Sequence, residues 1–129
     1  MKFKILCTMN SILAFFSGML CVVMPAKLLA NYDVRLTPMG LVIYQFWGVA
    51  LIGLGMLTWF ARSIQESALQ RRFAFALFMT NGLSCVMAVR GQYAGANTFG
   101  WSTVALFFFL ALGFGTFICI QSTLWGNQR

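Results

Sequence analysis

The stretch that decides the fold is residues 99–120, which read FGWSTVALFFFLALGFGTFICI and contain no charged side chain. It lies inside a longer uncharged stretch, residues 91–128. An α-helix needs about 20 apolar residues to cross the roughly 30 Å hydrocarbon layer of a membrane. Because lipid offers the backbone no hydrogen-bond partner, an apolar segment of this length must be helical. The stretch therefore predicts a transmembrane helix.

Three further apolar runs precede it in the chain. Residues 5–24 and 39–61 carry no charge, and residues 73–89 form a shorter uncharged run between arginines. We therefore predict an all-α fold, an integral membrane four-helix bundle. A single domain, residues 1–129, would contain spans at about 5–24, 39–61, 72–90 and 99–121.

Composition supports a membrane protein. The chain is 60% hydrophobic and only 9% charged, whereas soluble domains are roughly 45–50% apolar and about 25% charged. The net charge of +7 comes from nine basic and two acidic residues. These basic residues flank the apolar runs, where cytoplasmic retention and anionic headgroups explain them. We therefore expect the lipid bilayer as partner, together with other membrane proteins or a homo-oligomer, and no nucleic acid.

Residues between the runs carry helix-boundary signals. Pro25 is expected to stop the first helix, and Thr37-Pro38 is typical of an N-cap followed by proline at the first helical position. Ser63-Ile64-Gln65-Glu66 has the form of a capping box, so the third helix is expected to begin early. Gly91 is expected to cap that helix, and Asn97 or Thr98 to start the fourth. The first loop places apolar residues on one helical face, typical of a short interfacial helix or, alternatively, a lid. They are Leu28, Leu29, Tyr32 and Leu36.

The distribution of lysine and arginine predicts the orientation. With the N-terminus in the cytoplasm, the inner side holds six basic residues and the outer side holds three. The outer residues are Lys27, Arg35 and Arg90. We therefore predict cytoplasmic N- and C-termini and a multi-pass protein of the bacterial inner membrane. Cleavage of the first run as a signal peptide is the alternative, although its length exceeds a usual h-region.

Small and polar residues within the runs indicate how the helices pack. Small residues allow close helix contact in lipid. Among the polar residues, Gln45, Ser17, Asn81 and Ser84 are expected at similar depths in the outer half. They would either join helices or line a small outward-facing cavity, with Arg90 at its mouth. The candidate ligand-binding residues are thus Gln45, Asn81, Ser84 and Arg90. The small-residue stripes are Asn10, Ala14 and Gly18; Gly48 and Gly55; Ala76, Thr80, Ser84 and Ala88; and Ala111, Gly115 and Cys119.

The sequence contains few residues of the types that catalysis or metal binding requires. The chain has no histidine, and its four cysteines form no CxxC pair, so zinc, haem-attachment and thioredoxin-type spacings are absent. The acids Asp33 and Glu66 lie in loops, whereas proton-coupled carriers usually place an ionisable group inside the membrane. We therefore assign no catalytic residue, no metal ligand and no cofactor, and we expect a protein that is not an enzyme.

One set of motifs resembles a known family. The segment around Thr37-Pro38 leads into Tyr44-Gln45-Phe46-Trp47-Gly48, and residues 54–62, which read LGMLTWFAR and include Thr58, close the second helix. Thr80-Asn81-Gly82 and Gly100-Trp101 follow in the later helices. Their order resembles small bacterial four-helix membrane proteins of the DoxX-like group. Such relatives often carry arginine where Gln45 stands, so this chain departs from them there. The resemblance implies the four-helix fold, and the group includes subunits linked to quinone and sulfur redox systems.

Three functions remain open from the sequence. The first is a non-catalytic accessory subunit of a larger complex, or a binder of a small hydrophobic molecule. The second is an accessory subunit of a quinone-linked redox enzyme. The third is a small channel or carrier for an uncharged or anionic solute.

Overall fold

The computed structural model describes residues 2–95 and 97–126, and these residues are helical for most of their length. No strand occurs among them. Four of the five helices are long and apolar enough to cross a membrane, which confirms the all-α prediction with four spans. The helices are α1 (Lys2–Val23), α2 (Pro25–Ala30), α3 (Pro38–Ala61), α4 (Ser67–Tyr93) and α5 (Gly100–Gly126).

Two predicted helix boundaries are confirmed. The helix α1 ends at Val23, and Pro25 is the first residue of the short helix α2. The Thr37 hydroxyl accepts a hydrogen bond of 3.2 Å from the Gly40 backbone N–H, and Pro38 is the first residue of α3. Proline is well suited to this position, because its missing N–H would have no partner in the first turn.

The predicted capping box before α4 is wrong. The Ser63 hydroxyl instead donates to the Phe60 carbonyl oxygen at 2.7 Å, so it serves the end of α3. Glu66 is the N-cap residue of α4, but its side chain makes no capping hydrogen bond. The early start itself is confirmed, since α4 begins at Ser67, well before the uncharged run that starts at Phe73.

The other end of α4 also differs from the prediction. Gly91 lies within the helix, which continues to Tyr93 and has Ala94 as its C-cap. The residue with the left-handed backbone is Gly95, at φ +103°, a conformation that glycine adopts without steric cost. Asn97 does not begin α5, but its side-chain oxygen accepts a 3.1 Å hydrogen bond from the Phe99 N–H just before that helix.

The α1–α3 contact brings two backbones together. A Cβ atom built on Gly18 would lie 2.6 Å from the Gly48 carbonyl oxygen, and one built on Gly48 would lie 2.7 Å from the Cys21 Cβ. A Cβ on Gly55 would lie 3.0 Å from the Phe15 backbone nitrogen. The Ser11 hydroxyl donates to the Gly55 carbonyl oxygen at 2.6 Å. The small residues predicted for this contact therefore do allow close approach.

The small-residue stripe predicted for α4 is only partly buried. Ala76 and Thr80 are exposed, whereas Ser84 and Ala88 are half-buried. The buried positions of α4 lie on a neighbouring face, and they include two residues larger than alanine. They are Ala74, Leu77 and Asn81.

We call the end of the bundle that carries Arg62, Arg71 and Arg72 the arginine end, and the opposite end, which carries α2, the loop end. The helix α3 packs on α1, and α5 packs on both α1 and α4. The hydrophobic core lies toward the arginine end, where α1, α4 and α5 meet. The rings of Phe3 and Phe117 pack there with centroids 5.3 Å apart. The buried core residues are Phe3, Cys7, Ala74, Leu77, Phe114 and Phe117.

Candidate functional site

A buried polar cluster joins three of the four long helices. The Asn81 side-chain nitrogen on α4 donates to the Asn10 side-chain oxygen on α1 at 3.2 Å. The Asn10 nitrogen in turn donates to the Thr58 hydroxyl on α3 at 3.4 Å, near the upper limit for such a bond. All three side chains are at most 4% exposed. We call these three residues the amide cluster.

Two residues of the amide cluster also donate hydrogen bonds to backbone carbonyl groups of their own helices. The Asn81 nitrogen also donates to the Leu77 carbonyl oxygen at 2.8 Å, and the Thr58 hydroxyl donates to the Leu54 carbonyl oxygen at 2.7 Å. Within the described part of the chain, every buried side-chain nitrogen and oxygen atom has a hydrogen-bond partner. Because an unpaired amide in a low-dielectric interior costs several kcal/mol, this pairing favours the three-helix contact.

Gln45 does not belong to the amide cluster, contrary to the predicted common depth of Gln45 and Asn81. Its side-chain nitrogen donates to the Val22 carbonyl oxygen at 3.0 Å. On α3, Gln45 lies 13 residues from Thr58, or about 20 Å at the helical rise per residue. The prediction was wrong because the bonds of Asn81 place it level with Thr58, near the arginine end of α3, whereas Gln45 lies near the loop end.

Gln45 has a capping role instead. Val22 lies in the last turn of α1, where backbone carbonyl groups have no partner within the helix. The Gln45 amide satisfies one of these carbonyl groups from a neighbouring helix. The half-buried Gln45 side chain thus ties α3 to the end of α1 at the loop end of the bundle.

The remaining predicted site residues are not gathered with Gln45 either. Ser84 is half-buried and lies about one turn beyond Asn81 on α4, while Arg90 is exposed near the end of that helix. Asp33, the acid of the first loop, could in principle have paired with Arg90, but no such pair occurs among the described residues. Among the described residues, the Asp33 carboxylate instead accepts a 3.1 Å hydrogen bond from the Asn97 side chain. A single pocket formed by all four predicted residues is therefore absent from the described part of the chain.

Sequence reasoning missed Asn10 and Thr58 as polar partners of Asn81. From the sequence, Asn10 was considered only as a small packing residue, and Thr58 was considered only as part of the motif at residues 54–62. The signal that identifies them is their position inside uncharged runs, because a polar side chain there needs a partner on another helix. Which partner each one finds depends on how far the helices slide along one another.

The first loop packs against the start of α5. The Tyr32 and Thr103 hydroxyl oxygens are 2.7 Å apart and share a hydrogen bond. The Tyr32 ring also meets the Phe99 ring edge to face, with centroids 5.3 Å apart. Leu29 of α2 is buried. The short helix expected in this loop is therefore present as α2, and these contacts anchor the loop at two points.

The surface of the described residues includes two grooves at opposite ends of the bundle. The larger, about 630 Å³, lies between α4 and α5 at the arginine end. The smaller, about 480 Å³, lies at the loop end between α2, the following loop and the start of α3. We call them the arginine-end groove and the loop-end groove. Apolar residues dominate the second, whose walls include Leu29, Val34, Leu36 and Leu41.

Comparison with protein-family models, curated proteins and solved structures finds no match to this chain. The four long apolar helices define the class of the chain, a small, multi-pass, all-helical membrane protein. The resemblance to the DoxX-like group remains a prediction.

Proposed function

We propose that this chain is a non-catalytic membrane protein that supports a larger complex in the bacterial inner membrane. The observation that carries the proposal is the amide cluster. Asn10 bonds to both Asn81 and Thr58, and the side chains of Asn81 and Thr58 also bond to their own helices. Polar groups used in this way stabilise the bundle, and at no more than 4% exposure they are inaccessible to a passing solute. This favours an accessory role over a channel or carrier.

The position of α3 supports the same proposal. This helix packs on α1 and touches α2, so most of its circumference faces outward. Its outward side chains include Phe46, which is 70% exposed, and Phe60, which is 65% exposed. In a complex, the helices of another membrane protein would cover this face. We therefore propose α3 as the helix through which the chain joins its partner.

Site-specific photo-crosslinking in native membranes tests this role. A photoreactive phenylalanine analogue at position 46 or 60 is expected to form one defined protein adduct. The matched control is position 109 on α5, where Phe109 is also 69% exposed. A defined adduct from α3 and none from Phe109 supports the accessory role. Lipid adducts alone from both helices would refute it, and an adduct of twice the chain mass would identify a homo-oligomer.

A second function is favoured by the loop-end groove. Its volume of about 480 Å³ falls within the range usual for small-molecule sites, roughly 300–1,000 Å³. Its apolar walls would suit a small hydrophobic molecule, and Asp33 and Arg35 would supply polar contacts beside them. A membrane quinone is one such molecule, so the groove is compatible with the alternative of a quinone-linked accessory subunit. The DoxX-like resemblance points in the same direction.

Organic extraction of the purified protein tests this second function. Binding predicts a stoichiometric hydrophobic compound in the extract, identified by mass spectrometry. A Leu36→Trp variant, which fills the groove, is expected to lose the compound. A Phe46→Trp variant changes an exposed side chain elsewhere and is expected to retain it. Extracts that contain only bulk lipid in all three proteins would exclude this function.

The proposed orientation has both ends of the chain in the cytoplasm, on the basis of the lysine and arginine distribution. A reporter enzyme that works only in the cytoplasm, fused after Arg129, is expected to be active. A periplasmic reporter at the same point is expected to be silent. Activity of the periplasmic reporter would contradict the proposed orientation, or would show that the first helix is removed.

A further inference from the structure

We propose that the arginine-end groove binds one anionic glycerophospholipid, whose phosphate is held by Arg71 and Arg72. The groove has a volume of about 630 Å³ and lies between the first turns of α4 and the last turns of α5. The proposal requires only that the four long helices lie in a bilayer. It does not depend on the accessory role. The lining residues that carry it are Ser67, Arg71, Arg72, Phe75, Ile118 and Gln121.

Within the described part of the chain, the positive charge in the polar part of the groove is not compensated. Among the described residues, neither the Arg71 nor the Arg72 guanidinium makes an ion pair or a hydrogen bond. Of the two acids in the chain, Asp33 lies at the loop end, and Glu66 precedes α4 without lining the groove. A phosphate group would satisfy both guanidinium groups, since arginine donates paired hydrogen bonds to phosphate oxygens.

The beginning of α4 adds donors to this charge. The first N–H groups of a helix have no partner within it, and the helix dipole favours an anion there. The Glu66 side chain makes no capping hydrogen bond to these groups. Ser67, the first residue of α4, lines the groove. The Gln121 side chain, which also lines the groove, makes no hydrogen bond within the described part of the chain and can donate its amide.

The groove changes from polar to apolar along its length, which indicates an amphiphile. Ser67 and Phe75 lie eight residues apart on α4, or about 12 Å along the helix. The arginines directly precede the uncharged run at Phe73, while Phe75 lies within it and Ile118 faces it from α5. A phospholipid has the same order, with an anionic headgroup followed by acyl chains. A free phosphate would leave the apolar walls unused.

Arg62 provides a matched control at the same end of the bundle. It follows α3, and its guanidinium carbon lies 3.3 Å from the centroid of the Trp59 ring. This cation–π contact occupies the Arg62 side chain, which lies outside the groove. Removing the charge of Arg62 therefore changes the net charge by the same amount as removing that of Arg71. It leaves the proposed site intact.

Native mass spectrometry of the full chain, released from detergent with added lipid, tests the proposal. Phosphatidylglycerol is expected to remain bound as one molecule, and phosphatidylcholine with the same acyl chains is expected to be lost. Arg71→Gln and Arg72→Gln should each weaken retention about fivefold, the usual effect of one basic residue near an anionic lipid. Arg62→Gln should change retention less than about twofold. Equal losses for all three variants would overturn the proposal, because they would reflect net charge alone.

A second variant tests the apolar half without changing charge. Ile118→Trp fills the groove beside Phe75 and is expected to reduce phosphatidylglycerol retention while both arginines remain. Circular dichroism melting verifies that each variant is folded. Unchanged retention in the folded Ile118→Trp protein would overturn the lipid site.

Competition with water-soluble glycerol phosphate separates the lipid from a free anion. The soluble compound is expected to leave bound phosphatidylglycerol in place at millimolar concentration. Complete displacement would show that the groove recognises a soluble phosphate and would overturn the lipid assignment.

Discussion

Helices α1 and α3 approach each other backbone to backbone at their glycines, whereas the glycine of α5 that faces α4, Gly115, meets an aromatic ring. Glycines at three positions permit the first contact, and a Cβ at Gly48 would lie 2.9 Å from the Gly18 carbonyl oxygen. Between α4 and α5, the Phe78 ring covers Gly115, and the Cys85 thiol lies 3.7 Å from the Val104 carbonyl oxygen. The two contacts differ in what can yield when a methyl group is added. Backbone atoms cannot move aside, whereas the edge of an aromatic ring can.

The comparison shows two ways to hold helices together in lipid. No hydrophobic driving force favours helix association there, so close packing and polar contacts must supply the stability. The α1–α3 pair uses both, through its glycines and the Ser11–Gly55 hydrogen bond. The α4–α5 pair relies more on the packing of phenylalanine and leucine in the core. Substitutions at matched positions can measure the difference.

The largest effect is expected from Gly48→Ala. The added methyl group would meet the Cys21 Cβ and the Gly18 carbonyl oxygen, so α1 and α3 must separate. Overpacking of this kind costs about 1–3 kcal/mol, and separation would also strain the Ser11 hydrogen bond. Thermal unfolding in detergent measures the loss.

Gly53→Ala is the control, because it lies on the same helix and nothing lies within 4 Å of its added Cβ. Its stability is expected to stay the same or to rise by up to about 1 kcal/mol, since alanine favours a helix over glycine. If both variants melt alike, the backbone contact of α1 and α3 is not a source of stability.

The next effect is expected from Asn81→Leu. This change leaves the Asn10 side-chain oxygen without its donor and should lower the free energy of unfolding by about 1–3 kcal/mol. The control is a double-mutant cycle with Asn10→Leu, measured by unfolding in detergent. Because the two amides bond to each other, the double variant should lose less than the sum of the single losses. Strict additivity would contradict a direct bond between them.

A smaller effect is expected from Gln45→Leu. Gln45 is only half-buried, and the Val22 carbonyl group it serves lies near the end of α1. Headgroups or water at that depth can replace the lost bond, so the cost should stay below about 1 kcal/mol. The melting temperature of this variant should therefore exceed that of Asn81→Leu. The reverse order would show that Gln45 has a larger structural role than its single hydrogen bond.

The smallest effect is expected from Gly115→Ala on α5. Its added Cβ would lie 3.2 Å from the Phe78 Cε2 atom, a contact that a small rotation of the ring relieves. The change in unfolding free energy should lie within about 1 kcal/mol of zero, well below that of Gly48→Ala. Comparing the two alanine variants tests the difference between the helix pairs directly. Equal losses would mean that both pairs rest on backbone contact.

Part of the candidate site could be predicted from the sequence, and part could not. Asn81 was expected to face the interior, and it is 4% exposed. The reason is local, because an amide inside an apolar run needs a partner. Its partners were assigned wrongly, since Ser17, Ser84 and Gln45 were chosen by estimated depth. The relative depth of two side chains depends on how far their helices slide along one another, and the ends of the apolar runs do not determine that slide.

The sequence by itself determined the four spanning helices, the proline at the start of α3 and the need to bury Asn81. These features follow from hydropathy and from the fixed geometry of the backbone, both of which are local. Only the tertiary structure decided that Asn10 and Thr58 complete the cluster, that Gln45 caps α1, and that Arg71 and Arg72 share a groove with Ile118. Such pairings depend on the relative slide and rotation of helices, and many residues distant in sequence set these together.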